Sequence, residues 1–240
     1  MNRYKFDKQN HIHELDGKPL MGITTVLSVI SKPALIQWAA SMACNYVDEA
    51  RRSEGFKLED LEKILKEART AHRRKRDKAG DFGTLVHEAI EVWIKENKLP
   101  TNLDESQMAA FNNFKNWADE NKVEFLESEK HVWSESDWLG GILDMVAMYK
   151  GKKVICDIKT SSGIYPEMWA QMGGYHLCLK DMGEHEGIEG YLIINLKKTG
   201  EIDFGYSDKM QFNQDFFKAA LQLYKLKKVA DESIASGRDV

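Results

Sequence analysis

The stretch Asp157-Ile158-Lys159 constrains this chain more than any other. It closes the apolar run Val154-Ile155-Cys156, and an earlier apolar run, Gly140-Gly141-Ile142-Leu143, ends in Asp144. Both runs read as β-strands, with Lys150-Gly151-Lys152 as the hairpin turn between them. Residues i and i+2 of a strand share a face, so Asp157 and Lys159 point one way while Val154, Cys156 and Ile158 point the other. Neighbouring strands lie about 4.8 Å apart, so Asp144 and Asp157 converge if the register allows. Two close carboxylates resist ionisation unless a cation lies between them. A hard, oxygen-ligated ion such as Mg2+ or Mn2+ meets that need. Lys159 then holds or helps to deprotonate a water, while the metal neutralises charge developing on a phosphate, which is phosphodiester hydrolysis. The plain alternative is a surface ion pair on a hairpin. Asp/Glu-x-Lys is weak alone, because it also occurs at Asp16-Lys18, Glu96-Lys98 and Glu120-Lys122. Only at Asp157 does it end an apolar run with a second carboxylate-tipped run before it.

A chain of 240 residues suits one domain. It should bury roughly 70–75% of its unfolded surface, enough for a full core. A net charge of −4 and a pI near 6.0 advertise no global attraction to nucleic acid, though a local positive track fits within an acidic whole. Cys44, Cys156 and Cys178 are widely spaced and form no C-x-x-C pair, so they read as reduced core residues of an intracellular protein. The start, Met1-Asn2-Arg3-Tyr4-Lys5, is polar and charged, so no secretory leader is expected. No apolar run approaches the ~20 residues of a membrane span, so no membrane association is expected.

Residues 3–20 read as a small hairpin. Thr24 or Thr25 is a candidate cap for a short helix through Val26, Leu27 and Ile30. Pro33 opens another helix that carries Leu35, Ile36, Trp38 and Met42. Residues 58–78 read as a charged helix ended by Gly80, and its last stretch, 69–78, is the densest basic run in the chain. A separate amphipathic helix is expected over 83–96, with Leu85, Val86, Ala89, Ile90 and Trp93 as its apolar stripe. A helix over 105–121, strands near 123–133, 141–149 and 153–159, a helix from Pro166, strands at 191–194 and 202–204, and a terminal helix over 211–235 complete the reading. This order predicts an α/β fold: a mixed sheet flanked by helices, in a single domain over 1–240. Within it, 1–80 is a hairpin and helical N-terminal embellishment, 83–206 the core, and 211–235 the C-terminal helix.

Further candidates stand around the paired carboxylates. His87 lies on the border of the apolar stripe of its helix, with Glu91 one turn on, where it can face a site or simply pack. Gln171 and Tyr175 meet on one face of the helix after Lys159, placed either to touch substrate or to pack at a helix edge. Thr160-Ser161-Ser162 offers hydrogen bonds to a phosphate, or is a polar turn. Arg73, Arg74 and Arg76 in the basic run either steer a phosphate backbone or sit in solvent at a helix end. Trp38, Tyr46 and Phe56 can stack bases or serve as core.

The ordered set Gly83-x3-His87, Gly141-x2-Asp144, Asp157-x-Lys159-Thr160-Ser161 and Gln171-x3-Tyr175 resembles the PD-(D/E)XK nuclease superfamily, in its RecB-like exonuclease branch of phage and mitochondrial genome maintenance exonucleases. Ile23-Thr24-Thr25-Val26-Leu27 followed by Leu35-x2-Trp38 is similar to the same subgroup. The resemblance implies a restriction-endonuclease-like sheet. It implies that Asp144, Asp157 and the Ile158 carbonyl bind metal, with His87 a further ligand and Lys159 the catalytic lysine. Gln171 and Tyr175 become the supporting helix motif. A glutamate before the first core strand often joins such sites; Glu129 is the candidate for that place, with Glu127 as its rival. Mg2+ or Mn2+ is the implied cofactor, and three scattered cysteines leave no room for a four-cysteine iron–sulfur cluster. Implied too are DNA with single strands or free ends as substrate, 5′-phosphate products, recombination or replication proteins as partners, and a cytoplasmic setting, the host's if phage-encoded. A catalytically silent nucleic-acid binder and a sequence- or structure-specific endonuclease are the rival readings.

Overall fold

The computed structural model describes residues 3–53 and 55–236. In chain order they form β1 (Tyr4–Asp7), β2 (Ile12–Leu15), β3 (Lys18–Pro19), β4 (Met21–Gly22), α1 (Ile23–Val26) with a 3-10 turn Leu27–Val29, and α2 (Pro33–Arg52). A 3-10 turn Leu58–Asp60 leads to α3 (Leu61–Ala68), α4 (Ala71–Glu96) and α5 (Glu105–Glu120). Then come β5 (Glu124–Ser134), β6 (Leu139–Tyr149), β7 (Lys152–Lys159), α6 (Pro166–Asp181), β8 (Ile188–Leu196), β9 (Ile202–Ser207) and α7 (Met210–Ala235). Two compact units result: Met1–Ile30 with Val86–Val240, and Ser31–Leu85.

The first unit is α/β. β1, β2 and β3 make a small antiparallel sheet. The main sheet is mixed: β6 pairs antiparallel with β5 and β7, β7 parallel with β8, and β8 antiparallel with β9. The β6–β7 hairpin turns on Lys150 and Gly151, at φ of 52° and 78°, the double left-handed conformation of a tight hairpin turn. One face of the sheet packs on α6. Ile155 and Ile193 meet Met172 and Tyr175 there, and α7 adds Phe217 and Leu221. The approach is close: a Cβ on Gly141 of β6 would stand 2.9 Å from the Tyr175 ring, and one on Gly173 would fall 2.3 Å from the Asn213 carbonyl of α7. On the other side Trp93, Phe111, Phe114 and Phe125 form an edge-to-face aromatic group, and Trp117 of α5 stacks on Tyr149.

The second unit holds α2, α3 and the start of α4. Tyr46 bonds to Glu67, Arg74 lies over the Tyr46 ring, and half-buried Trp38 meets His72 edge-on.

Three sequence expectations change. Gly80 does not end a helix, because α4 runs unbroken from Ala71 to Glu96 through Gly80 and Gly83. A helical glycine costs roughly 1 kcal/mol against alanine, which the helix-forming residues around it absorb. The break falls at Arg69-Thr70, where the Thr70 hydroxyl and N–H both bond back to the Glu67 carbonyl. Neither Thr24 nor Thr25 caps α1, whose N-cap is Gly22. Cys156 and Cys178 are buried and free, but Cys44 is exposed on α2.

Candidate active site

The register of β6 creates the site. On one edge, β5 places Ser128 opposite Met145 and Lys130 opposite Leu143, so Glu129 stands opposite Asp144 between them. Glu129 is at φ 51°, left-handed and outside ordinary strand geometry. A non-glycine residue held there carries strain of order 1–3 kcal/mol, and such strain gathers where a side chain must be aimed. On its other edge, β6 pairs with β7 from Met145 to Tyr149 and with β4 at Leu139 and Gly140. Between these ladders the strands fork. The last β6–β7 pair is Met145 with Cys156, and the next positions in that register are Asp144 and Asp157. Past the fork Asp144 turns to His87 of α4 and Asp157 to Gln171 of α6.

At the fork Asp144 Oδ2 accepts the Ile158 N–H at 2.7 Å and lies 3.5 Å from His87 Nδ1 of α4. One donor atom from each of His87, Glu129 and Asp144 falls within 4.8 Å of the others, and all three residues are half-buried. Asp157 is only 1% exposed in its side chain. Its Oδ2 lies against Lys159 Nζ, and its Oδ1 faces Gln171 Nε2 at 3.4 Å. Gln171 also donates to the Tyr175 hydroxyl at 2.7 Å. The i, i+4 spacing on α6 thus delivers the amide and phenol as one unit.

Negative charge is in surplus. Burial pushes the Glu129 carboxyl up to about 7, and the Asp144 and Glu91 carboxylates push it further, while Lys95 and Lys8 pull the other way. Burial raises Asp157 to about 6 against the pull of Lys159, with Asp144 adding to the rise. Burial, then Asp157 and Asp144, drive the Tyr175 phenol well up, so it stays protonated. An imidazole and two carboxylates with donor atoms within 4.8 Å of one another, one carboxyl resisting ionisation, fit a divalent cation such as Mn2+ or Mg2+.

Not all the predicted residues gather here. Glu127 is turned away to pair with Lys130, so Glu129 is the glutamate brought to the group. The Ser161 N–H and hydroxyl bond to Asn195 Oδ1, and the hydroxyl also to the Gly163 carbonyl, so Ser161 holds the strand-to-helix turn together instead of offering donors outward. Thr160 is half-buried beside it. Arg73, Arg74 and Arg76 belong to the Ser31–Leu85 unit. There Arg74 bonds to Thr70 Oγ1 and the Glu67 carbonyl, Arg76 pairs with Asp77, and Arg73 is exposed. Three residues escape the sequence reading of the site. Lys95 pairs with Glu91 at 2.6 Å, a relation its i, i+4 spacing could have shown. Lys8 acts on Glu129 from the hairpin, which no local pattern reveals. Asn195, next to last in the apolar strand β8, is a fully buried polar residue opposite Lys159, a contrast visible in the sequence.

Among the described residues no single helix is long and apolar enough to cross a membrane. No model of a known protein family matches the chain, and no curated protein matches it significantly.

Proposed function

We propose that this chain is a metal-dependent deoxyribonuclease with a restriction-endonuclease-like core, of the RecB-like exonuclease kind. The reading rests on one juxtaposition. A His87–Glu129–Asp144 group is joined, through the Asp144–Ile158 hydrogen bond, to a strand that presents Asp157 and Lys159 on the same face. His87, Glu129 and Asp144 would hold a divalent ion, with Asp157 and the Ile158 carbonyl as further candidates. Bound there, the ion would acidify a water and neutralise charge on the phosphate.

The chain's own groups do the rest. Lys159 Nζ holds the attacking water and helps its deprotonation by stabilising the hydroxide that forms. Gln171, steadied by Tyr175, fixes the Asp157 carboxyl and so the reach of Lys159. Burial of Asp157 keeps bulk water from competing. The substrate of this proposal is DNA with single strands or free ends, cut to leave 5′-phosphates, in the cytoplasm and alongside recombination or replication proteins.

End-labelled linear DNA, RNA and closed circular single-stranded DNA, each with Mn2+, form the test. Linear DNA should yield mononucleotides or short products, circles none, and Lys159→Ala should lose all cleavage. Cutting of circles would make the protein an endonuclease. Binding without cutting would make it a silent binder, and equal activity of Lys159→Ala would remove the mechanism.

A further inference from the structure

The β1–β2 hairpin is more than a decoration on the sheet. Its tip, between Asp7 and Ile12, is tied by Asp7 Oδ1 to the N–H groups of Gln9 and Asn10. The Phe6 ring stacks on His13 at 4.7 Å, meets His11 edge-on at 5.2 Å and lies 5.3 Å from His131 of β5. The Tyr4 hydroxyl bonds both His13 Nδ1 and His131 Nδ1, at 2.6 and 3.2 Å, and the Tyr4 ring stacks on Trp133. Thus a platform of aromatic and imidazole rings is held in fixed orientation. His13 is buried, but His11 and His131 keep exposed rings. His131 follows Glu129 by two residues on the same strand, so the platform begins where the acidic group ends.

A polyanion approaching Glu91, Glu129, Asp144 and Asp157 meets net repulsion unless cations flank them. On this side Lys8 is exposed at the hairpin tip, one residue beyond β1, and Lys95 is exposed on α4. Flat rings beside a cation match a single nucleic-acid strand, whose bases stack while its phosphates pair.

Resting on the nuclease reading, we infer that the hairpin tip is the wall along which a single DNA strand enters the site, its bases stacking on His11 and His131 and a phosphate meeting Lys8. Packing alone needs no such rings, since an aliphatic plug would bury the same surface.

Anisotropy of a labelled single-stranded oligonucleotide in EDTA, alongside cleavage in Mn2+, tests this. Lys8→Glu should weaken binding about ten-fold and reduce the salt slope by about one, with Lys8→Arg restoring both. His11→Ala should weaken binding about five-fold and remove the penalty for one abasic nucleotide that the wild type shows. Both positions are exposed, and an unchanged melting temperature confirms the fold. If the wild type cleaves DNA while Lys8→Glu and His11→Ala bind as it does, the inference is overturned and the nuclease reading stands. If the wild type binds with these effects yet never cleaves, the wall stands and the nuclease reading falls. Absence of any binding removes both.

Discussion

Helix α6 covers two polar groups, one helical turn apart. Gln171, bonded to Tyr175, faces Asp157, whereas His176 and Lys180 reach Tyr191 and Gln214. In the second group His176 Nδ1 lies 2.9 Å from the Tyr191 hydroxyl, and Gln214 lies near both while accepting from Lys180 Nζ at 2.7 Å. Burial, then Lys180, lowers His176 to about 4, so it sits neutral, bonded to Tyr191 and Gln214. The first group instead crowds carboxylates from three strands around one imidazole and one lysine. Burying polar atoms serves architecture in both places. What sets the first apart is unbalanced charge together with a left-handed Glu129, features that folding alone does not favour.

The comparison breaks most visibly in activity. Lys159→Ala and Asp144→Asn should each lower kcat by about a thousand-fold or more, and EDTA should do the same until Mn2+ is restored. His176→Phe should leave kcat within about two-fold but lower stability by roughly 1–3 kcal/mol, because Tyr191 and Gln214 lose a buried partner. Steady-state cleavage and urea unfolding of the same variants separate the two outcomes. Activity lost equally in both groups would erase the distinction.

Acid should act on the architectural histidines. Burial lowers His13 and His176 to about 4 in the folded chain, whereas unfolded histidine titrates near 6.5. Between these values the unfolded state binds more protons. The stability that the two rings contribute is therefore complete above about 6.5 and lost as pH falls towards 4, on the order of 1–3 kcal/mol for each. Urea midpoints from pH 7.5 to 4.5 should fall accordingly, and His13→Gln with His176→Gln should flatten the curve.

Relieving the carboxylate crowding gives a smaller effect of opposite sign. Glu129→Gln should raise the melting temperature of the metal-free protein at pH 8 by a few degrees, since a buried like charge is removed. Scanning calorimetry in EDTA would show it, and a fall would mean that Glu129 is held by partners beyond its strained backbone. The smallest effect belongs to Arg73, Arg74 and Arg76. With Arg74 bonded to Thr70 and Arg76 to Asp77, neutralising all three should flatten the salt dependence of DNA binding by about two or less. An unchanged slope would put the DNA track elsewhere.

Much of the first unit was legible because its signals are local. Alternation and the Lys150-Gly151 turn define the β6–β7 hairpin, whose ladder runs to Met145 and Cys156, the residues next to Asp144 and Asp157. The i, i+4 spacing pairs Gln171 with Tyr175. What stayed hidden depends on distant parts of the chain. The left-handed backbone at Glu129 is announced by no residue type, and the bulge between Phe125 and Glu127 blurs the alternation, so Glu127 stays a rival to Glu129 in the sequence. Lys8 and the hairpin rings reach β5 only through packing around Tyr4. The continuity of α4 stays hidden because Gly80 reads as a stop, although the flanking residues outweigh it.

Titration of Mn2+ into the metal-free protein, followed by the loss of the free-ion electron paramagnetic resonance signal, probes the centre of the account. Wild type and Lys159→Ala should bind with similar affinity, while His87→Ala and Asp144→Asn should each bind at least about ten-fold more weakly. A wild type that leaves the Mn2+ signal untouched, or His87→Ala and Asp144→Asn variants that bind as tightly as it does, would contradict the claim that these side chains form a metal-holding group.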